Sequence, residues 1–395
     1  MNALSALLNL PEAEKATRGL AHTPAEIAQQ PATWLSTFEL FQERSAEIRD
    51  FLAAAGLGRD HGPRPEVFLV GAGTSDYIGQ SLVQLLRKSW ECEVRAVPST
   101  DLLTHFEALV RPRQTYLWLS FSRSGDSPEG VAVLQNACRK RPDIHHLVIS
   151  CNANGQMVQE SAGQPQVLGI CLDDAVNDRG LAMTSAFSNM VVFGQCLAHA
   201  NDAGRYEQVL RQLVQSGESF IPMAADRASA LAKEPYTKAC FVGSGPLRAV
   251  ARESALKLLE LTAGKVLTMS ESALGLRHGP MAALDQDTLL VCLLSDNRKV
   301  QEYEQDLLEE IGNKQLVGKR VVVAGSKIPG LESFAEHYLA PAAPFPAADD
   351  YRPPLDVIFG QLLGLFFSLR WKLRPDCPSP NGAISRVVQN VAIHS

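Results

Sequence analysis

Three serines and a glycine crowd into Ser122-Arg123-Ser124-Gly125-Asp126-Ser127, directly after the apolar run Leu117-Trp118-Leu119. The run reads as a buried strand. Pro128 and Glu129 then open an amphipathic helix over 130–139, with Ser127 as its N-cap. Hydroxyls, backbone N–H groups and the positive end of a helix dipole together suit a phosphate. Taken alone, the turn fits a ligand-free strand-to-helix connection equally well. A second set of reactive types lies further on. Glu253, Lys257, Glu260 and Lys265 punctuate an apolar helix, and Glu253 and Glu260, seven apart, share a face. His278 sits in Leu276-Arg277-His278-Gly279-Pro280, on a turn exposed to a cleft. A carboxylate and an imidazole are the usual general acid–base groups. Taken singly, a helix glutamate is more often solvated or salt-bridged than a base, and a lone histidine is more often structural.

Two further segments bear on a ligand. Gly71-Ala72-Gly73-Thr74-Ser75 begins like a dinucleotide fingerprint, but its third glycine position holds Asp76. The second strand ends in Val97-Pro98-Ser99, without the acidic residue a ribose needs, which argues against nicotinamide or flavin. Met183-Thr184-Ser185 opens another helix, where Thr184 and Ser185 could cap it or face a ligand.

The elements that must position these groups alternate strand and helix. Strands are expected at 67–70, 94–97, 115–120 and 146–151, with helices at 77–90, 101–110 and 130–139. Such alternation is a parallel sheet with helices on both faces, and its ligands sit beyond the carboxyl ends of the strands. The Gly71 and Ser122 loops both fall there. Cys240-Phe241-Val242-Gly243-Ser244-Gly245 then repeats the form of Phe68-Leu69-Val70-Gly71-Ala72-Gly73. A helix at 248–261 and strands at 288–294 and 320–324 complete a second copy of the domain. Where the first copy has its serines, the second reads Leu294-Ser295-Asp296-Asn297. The fold class is therefore α/β: two tandem doubly wound parallel-sheet domains behind an N-terminal helical arm. The arm covers 1–44, the first domain 45–205 and the second 206–395. In the arm, Thr23 is the expected N-cap, with Pro24 at N1 and Glu26 at N3. Pro31 breaks that helix before a second one over 32–51.

Composition narrows the function classes. The 395 residues carry a formal charge of −6 and no basic run, which argues against a nucleic-acid surface. Eight cysteines stand singly, without a C-x-x-C pair, so no zinc or dithiol centre is indicated. They suit the reduced core of a cytoplasmic protein. Residues 3–10 lack the features of a signal peptide. The most apolar stretch, 355–369, is interrupted by Gln361 and reads as a buried or interface helix rather than a membrane span. No cofactor and no metal are expected.

Four segments taken together resemble the sugar isomerase (SIS) domains: Gly71-Ala72-Gly73-Thr74-Ser75, Ser122 through Ser127, Glu253-Ser254-Ala255-Leu256-Lys257-Leu258-Leu259-Glu260, and Leu276 through Pro280. They are most similar to the isomerase half of glucosamine-6-phosphate synthase, whose lead-in Glu26-Ile27-Ala28-Gln29-Gln30-Pro31 also resembles. The chain opens at that lead-in without a glutaminase half, so ammonia from glutamine is not expected. The 22–34 opening and the Cys377-Pro378-Ser379-Pro380-Asn381-Gly382 tail look most like the AgaS group of galactosamine-6-phosphate deaminase/isomerases, formerly called tagatose-6-phosphate ketose/aldose isomerases.

The resemblance implies a flavodoxin-like SIS fold and a small sugar-phosphate substrate. It implies that Ser122, Ser124 and Ser127 hold the phosphate, with Arg123 in a loop position usually held by glutamine. Thr74, Ser75 and Thr184 would line the sugar. Glu260 matches the base that moves a proton between C1 and C2. His278 matches a ring-opening histidine lent by a neighbouring subunit, so a homodimer or larger homo-oligomer is expected. The synthase's C-terminal lysine has no counterpart in Ala383-Ile384-Ser385-Arg386-Val387, and its central Thr-Lys is Thr184-Ser185 here. The expected activity is conversion of galactosamine-6-phosphate to tagatose-6-phosphate and ammonia. The alternatives are a plain aldose–ketose isomerase and a sugar-phosphate sensor. Against the sensor, no DNA-binding region precedes the domains, and a sensor has no use for both Glu260 and His278. Arg277 and Arg386 could each be a second phosphate or carbonyl partner or a surface salt bridge, the surface reading being slightly favoured.

Overall fold

The computed structural model describes residues 1–57, 64–388 and 391–394. The chain forms two compact units. One comprises Thr33–Asp178, Ser185–Gln208 and Ile384–Ser395; the other comprises Met1–Ala32, Arg179–Thr184 and Val209–Ala383.

The first unit is built on β1 (Glu66–Gly71), β2 (Val94–Pro98), β3 (Tyr116–Ser122), β4 (His145–Ser150) and β5 (Val167–Cys171). Every pairing is parallel and the order is β2-β1-β3-β4-β5. Strands β1 and β3 are buried along their whole length, as near-continuous apolar runs covered on both faces must be. Helices Thr74–Trp90, Ser99–Leu109 and Pro128–Lys140 make the crossovers.

The second unit contains β6 (Lys238–Gly243), β7 (Leu267–Glu271), β8 (Thr288–Leu293), β9 (Lys319–Val323) and β10 (His337–Leu339). Its order, read from the other edge, is β7-β6-β8-β9-β10, the same arrangement strand for strand. The duplication extends to the turns. Gly73 (φ 56°, ψ −125°) and Gly245 (φ 57°, ψ −130°) precede the first helix of each copy in the same left-handed conformation, which a side chain would strain. The fold is thus a pair of doubly wound parallel sheets, as the alternation indicates.

Several local expectations shift. The arm's first helix is Thr23–Ala28, with His22 rather than Thr23 at the N-cap. Thr23 Oγ1 instead donates to Asp376 (2.8 Å), and Glu26 accepts the backbone N–H groups of Arg179 and Gly180. Long-range partners have displaced the local capping box. Pro31 lies in the first turn of the next helix, Gln30–Glu43, and Ser45–Ala54 is separate from it. The apolar segment forms helix Pro353–Arg370, buried from Pro353 to Ser368. It lies against helix Pro246–Leu261, and a Cβ added at Gly360 would overlap Ser254 Oγ. No helix among the described residues is long and apolar enough to cross a membrane.

One core residue gives the first unit an acid limit. His146 on β4 is fully buried, edge-on to Trp118 at 5.2 Å, and neither ring nitrogen has a hydrogen-bond partner. Burial, with a smaller contribution from His145, pushes its pKa down to about 3. The imidazole is neutral when folded and charges in the unfolded chain below about pH 6.5, so stability present above that pH falls as pH drops towards 3. The slope from this group is about 1.4 kcal/mol per pH unit. His146→Leu should flatten the fall in melting temperature between pH 6.5 and 4. Parallel pH profiles for variant and wild type would contradict it.

Candidate active site

In the order β2-β1-β3-β4-β5, the connections leaving β1 and β3 diverge, and a crevice opens at their carboxyl ends. The topology brings Thr74, Ser75 and the Ser122–Ser127 loop to this crevice. Thr74 and Ser75 occupy the first turn of helix Thr74–Trp90 and are largely buried. That turn lies so close to the strand that a Cβ on Gly71 would overlap the Ser75 carbonyl carbon.

The serine loop is wound on its own hydroxyls. Ser122 Oγ accepts from Gly125 N (3.1 Å), and Ser124 Oγ accepts from Asp126 N (3.2 Å). Each hydroxyl keeps its proton to donate. Ser127 is the N-cap of helix Pro128–Lys140, as its sequence position indicates, but makes no side-chain cap hydrogen bond. The loop's carbonyls face the other way, into the turn after β4. Arg123 O accepts from Cys151 N (3.2 Å), Ser124 O from Asn152 Nδ2 (2.8 Å), and Gly125 O from Met157 N (2.9 Å). Negative backbone ends are therefore tied down behind the loop, leaving hydroxyls and a helix N-terminus for an anion.

Arg123 and Thr184 each have protein partners. Arg123 is buried, and its Nη2 donates to the carbonyl of Arg386. Arg386 is half-buried and bonds Asp178 O (2.7 Å) and Asn177 Oδ1 (2.6 Å), so it is no loose surface residue. Thr184 belongs to the second unit. It is fully buried, and its carbonyl accepts from Gln361 Nε2 (3.2 Å). The helix after it, Ser185–Ala198, is capped by Asp178, which accepts the N–H groups of Ser185 (3.1 Å) and Ala186 (2.9 Å).

The second unit holds the acid–base candidates. On helix Pro246–Leu261, Lys257 Nζ lies 3.3 Å from Glu253 Oε1 and 2.7 Å from Glu260 Oε2. The side chains of Glu253 and Lys257 are essentially inaccessible, whereas that of Glu260 is 24% exposed. Burial works to lower the Lys257 pKa, but the two carboxylates more than offset it, and the pKa stands above the ordinary lysine value. The ammonium therefore stays charged and fixes Glu260 at the one accessible end of the row. The i, i+4 and i, i+3 spacing of Glu253, Lys257 and Glu260 is the signal that could have drawn attention to Lys257 from the sequence.

His278 is exposed, beyond β7 and the short helix Ala273–Leu276, and its N–H donates to Gly275 O (3.0 Å). Helix Pro246–Leu261 starts at the carboxyl end of β6 and returns to the amino end of the parallel strand β7. The β6–β7 and β7–β8 connections cross the sheet in opposite directions, so right-handed crossovers put Glu260 on one face of the sheet and His278 on the other. Arg277 pairs with Glu310 (2.7 Å).

At the second copy's own crevice, protein groups satisfy one another. Glu304 accepts from Ser244 Oγ (2.7 Å) and Ser295 N (2.8 Å), and burial raises its pKa to about 7. Buried Arg352 binds Asp356 (2.6 Å), Asp296 (3.3 Å) and Asp349 (3.4 Å). Carboxylates stand where the first copy offers hydroxyls. Among the described residues no cluster of three or more metal-ligating side chains occurs.

Two sheets of this order, one ending in a serine loop and the other carrying a Glu-Lys-Glu helix, define a tandem SIS protein of the phosphosugar isomerase type. No family model matches the chain. Curated relatives do: the AgaS protein of Streptomyces coelicolor is 38% identical over 383 residues, 95% of each chain. The D-galactosamine-6-phosphate deaminase AgaS of Escherichia coli O157:H7 is 32% identical over 373 residues, 94% of this chain and 95% of that one. The crystal structure of tagatose-6-phosphate ketose/aldose isomerase from Escherichia coli superposes with a TM-score of 0.83 at 28% identity, covering 94% of this chain and 96% of that one. The chain belongs to the AgaS galactosamine-6-phosphate deaminase family.

Proposed function

We propose that this protein converts galactosamine-6-phosphate and water to tagatose-6-phosphate and ammonia, in the cytoplasm. The observation that carries the reading is the Glu253–Lys257–Glu260 row, with one accessible carboxylate held by a buried ammonium. Ser122, Ser124 and Ser127 hold the phosphate, and Thr74 and Ser75 line the sugar. The phosphate supplies binding energy remote from the reacting carbons.

The closed sugar must first open. His278 moves a proton from the C1 hydroxyl to the ring oxygen, a task suited to imidazole. The free aldehyde acidifies the C2 proton. Glu260 takes it while O1 gains a proton, leaving an enolamine across C1 and C2, and then returns it to C1. The C2 iminium so formed gives up an N–H proton, which balances the one gained by O1, and the imine is hydrolysed by water to the ketose and ammonia. No lysine Schiff base is required. Because His278 and Glu260 lie on opposite faces of one sheet, a site using both draws His278 from a second copy of the chain, as the family resemblance implies.

Ammonia and ketose should be measured with galactosamine-6-phosphate, glucosamine-6-phosphate and tagatose-6-phosphate. Stoichiometric ammonia and ketose from the galacto substrate is expected. Interconversion of tagatose-6-phosphate with an aldose and no ammonia from either amino sugar would make the protein a plain isomerase. Ser124→Ala should raise KM about tenfold or more with a smaller change in kcat, since a charge-assisted hydrogen bond to phosphate is lost. An unaltered KM would remove the serine loop from the phosphate site.

A further inference from the structure

Arg123 stands between the two hydroxyls of the serine loop, yet its guanidinium is spent on the C-terminal segment. Its Nη2 donates to the carbonyl of Arg386, and its own carbonyl is anchored by Cys151 N at 3.2 Å. The side chain of Arg386 carries the connection on, through Nε to Asp178 O (2.7 Å) and Nη2 to Asn177 Oδ1 (2.6 Å). Asp178 in turn caps helix Ser185–Ala198 with both carboxylate oxygens. All these groups belong to one unit. Residues 384–388 form neither helix nor strand. They have little core of their own to hold them, so these few polar contacts set their place. Further on, Ile393 and His394 help line a cavity of about 870 Å³ that also includes Asp126 and Pro128, the residues flanking Ser127. The C-terminal residues thus touch the serine loop through Arg386 and help line the cavity beside it.

We propose that Arg123 is a positioning residue that clasps the C-terminal segment 384–388 to the serine loop, so that seating of the segment and binding of a sugar phosphate favour one another. The coupling follows from geometry. The wound form held by Ser122 and Ser124 is the one in which Arg123 reaches Arg386 O. An anion that fixes the loop therefore fixes the clasp, and by linkage a seated segment favours the anion. This inference rests on the serine loop being the phosphate site.

Hydrogen exchange of residues 120–128 and 384–388 separates the two claims. It is measured on wild type, Arg123→Met, Arg123→Lys, Arg386→Ala and Ser124→Ala, with and without galactosamine-6-phosphate, alongside KM and kcat. In wild type the ligand should slow exchange in both segments. In Arg123→Met, residues 384–388 should exchange fast with or without ligand, while the loop is still protected and KM rises about 5–50-fold, the usual span of a coupling between sites. Arg386→Ala, which leaves the loop residues untouched, should move KM the same way. Arg123→Lys, which keeps a cationic donor, should recover part of the effect. Wild-type exchange at 384–388 in Arg123→Met would overturn the clasp. Loss of all ligand protection of the loop in that variant would also overturn it, by making Arg123 a direct ligand. If the ligand protects neither segment in wild type, the phosphate reading fails and the coupling fails with it. Fast exchange of 384–388 in Arg123→Met without ligand still reads the clasp itself.

Discussion

Glu260→Gln is expected to cut kcat on galactosamine-6-phosphate by about 10²–10⁴-fold, with KM changed by less than about threefold. The amide keeps the shape of the carboxylate and can still accept from Lys257 Nζ, now 2.7 Å away. Lys257 also retains Glu253 at 3.3 Å, so its buried charge is not left uncompensated. On the proposed reading, what the variant loses is the ability to take a proton from C2. On the same reading the phosphate is held by the serine loop, which the substitution does not touch. Ring opening should survive in the variant, because His278 is unaltered. Full turnover in Glu260→Gln would remove it from the proton transfer and turn attention to Glu253. A large rise in KM at constant kcat would make it a substrate contact instead.

The second large effect is a recovery. His278→Ala and Glu260→Gln should each be nearly inactive alone. Hybrid oligomers carrying one copy of each, isolated with two affinity tags, should regain activity. In a dimer each hybrid then has one wild-type site of two, so isolated hybrids reach about half, and a random mixture about a quarter, of wild-type activity. The reason is the topology, which puts helix Pro246–Leu261 with Glu260 on one face of the sheet and the β7–β8 connection with His278 on the other. Inactive hybrids would show that both groups serve from a single chain.

The central strands were legible because burial on both faces makes them continuous apolar runs, as in β1, β3 and β8. The repeat was legible in the paired Gly-x-Gly turns, where backbone geometry dictates residue type. The edge strands were not. β7 is only partly buried along its length and exposes Leu267, and β10 has three residues; neither carries an apolar run. Among the candidate residues, Ser122 through Ser127 and Glu260 declared themselves by type and spacing, or by family resemblance. Lys257 did not stand out, because an i, i+4 Glu–Lys pair on a helix usually marks a solvated face; here the neighbouring helix, brought close by Gly360 and Gly364, buries it. The roles of Thr23, Glu26, Asp178 and Arg123 depend on partners more than 150 residues away, or on a loop closed by the fold, and local pattern holds no trace of such contacts.

The most direct measurement uses galactosamine-6-phosphate carrying deuterium at C2, followed by NMR together with ammonia release. Proton transfer from C2 to C1 before imine hydrolysis predicts a ketose phosphate with deuterium at C1 or exchanged into solvent, one ammonia per ketose, and a primary isotope effect on the chemical step. Ammonia released while deuterium remains on C2 of an aldose product would contradict the account, because nitrogen would then have left without the proton transfer assigned to Glu260.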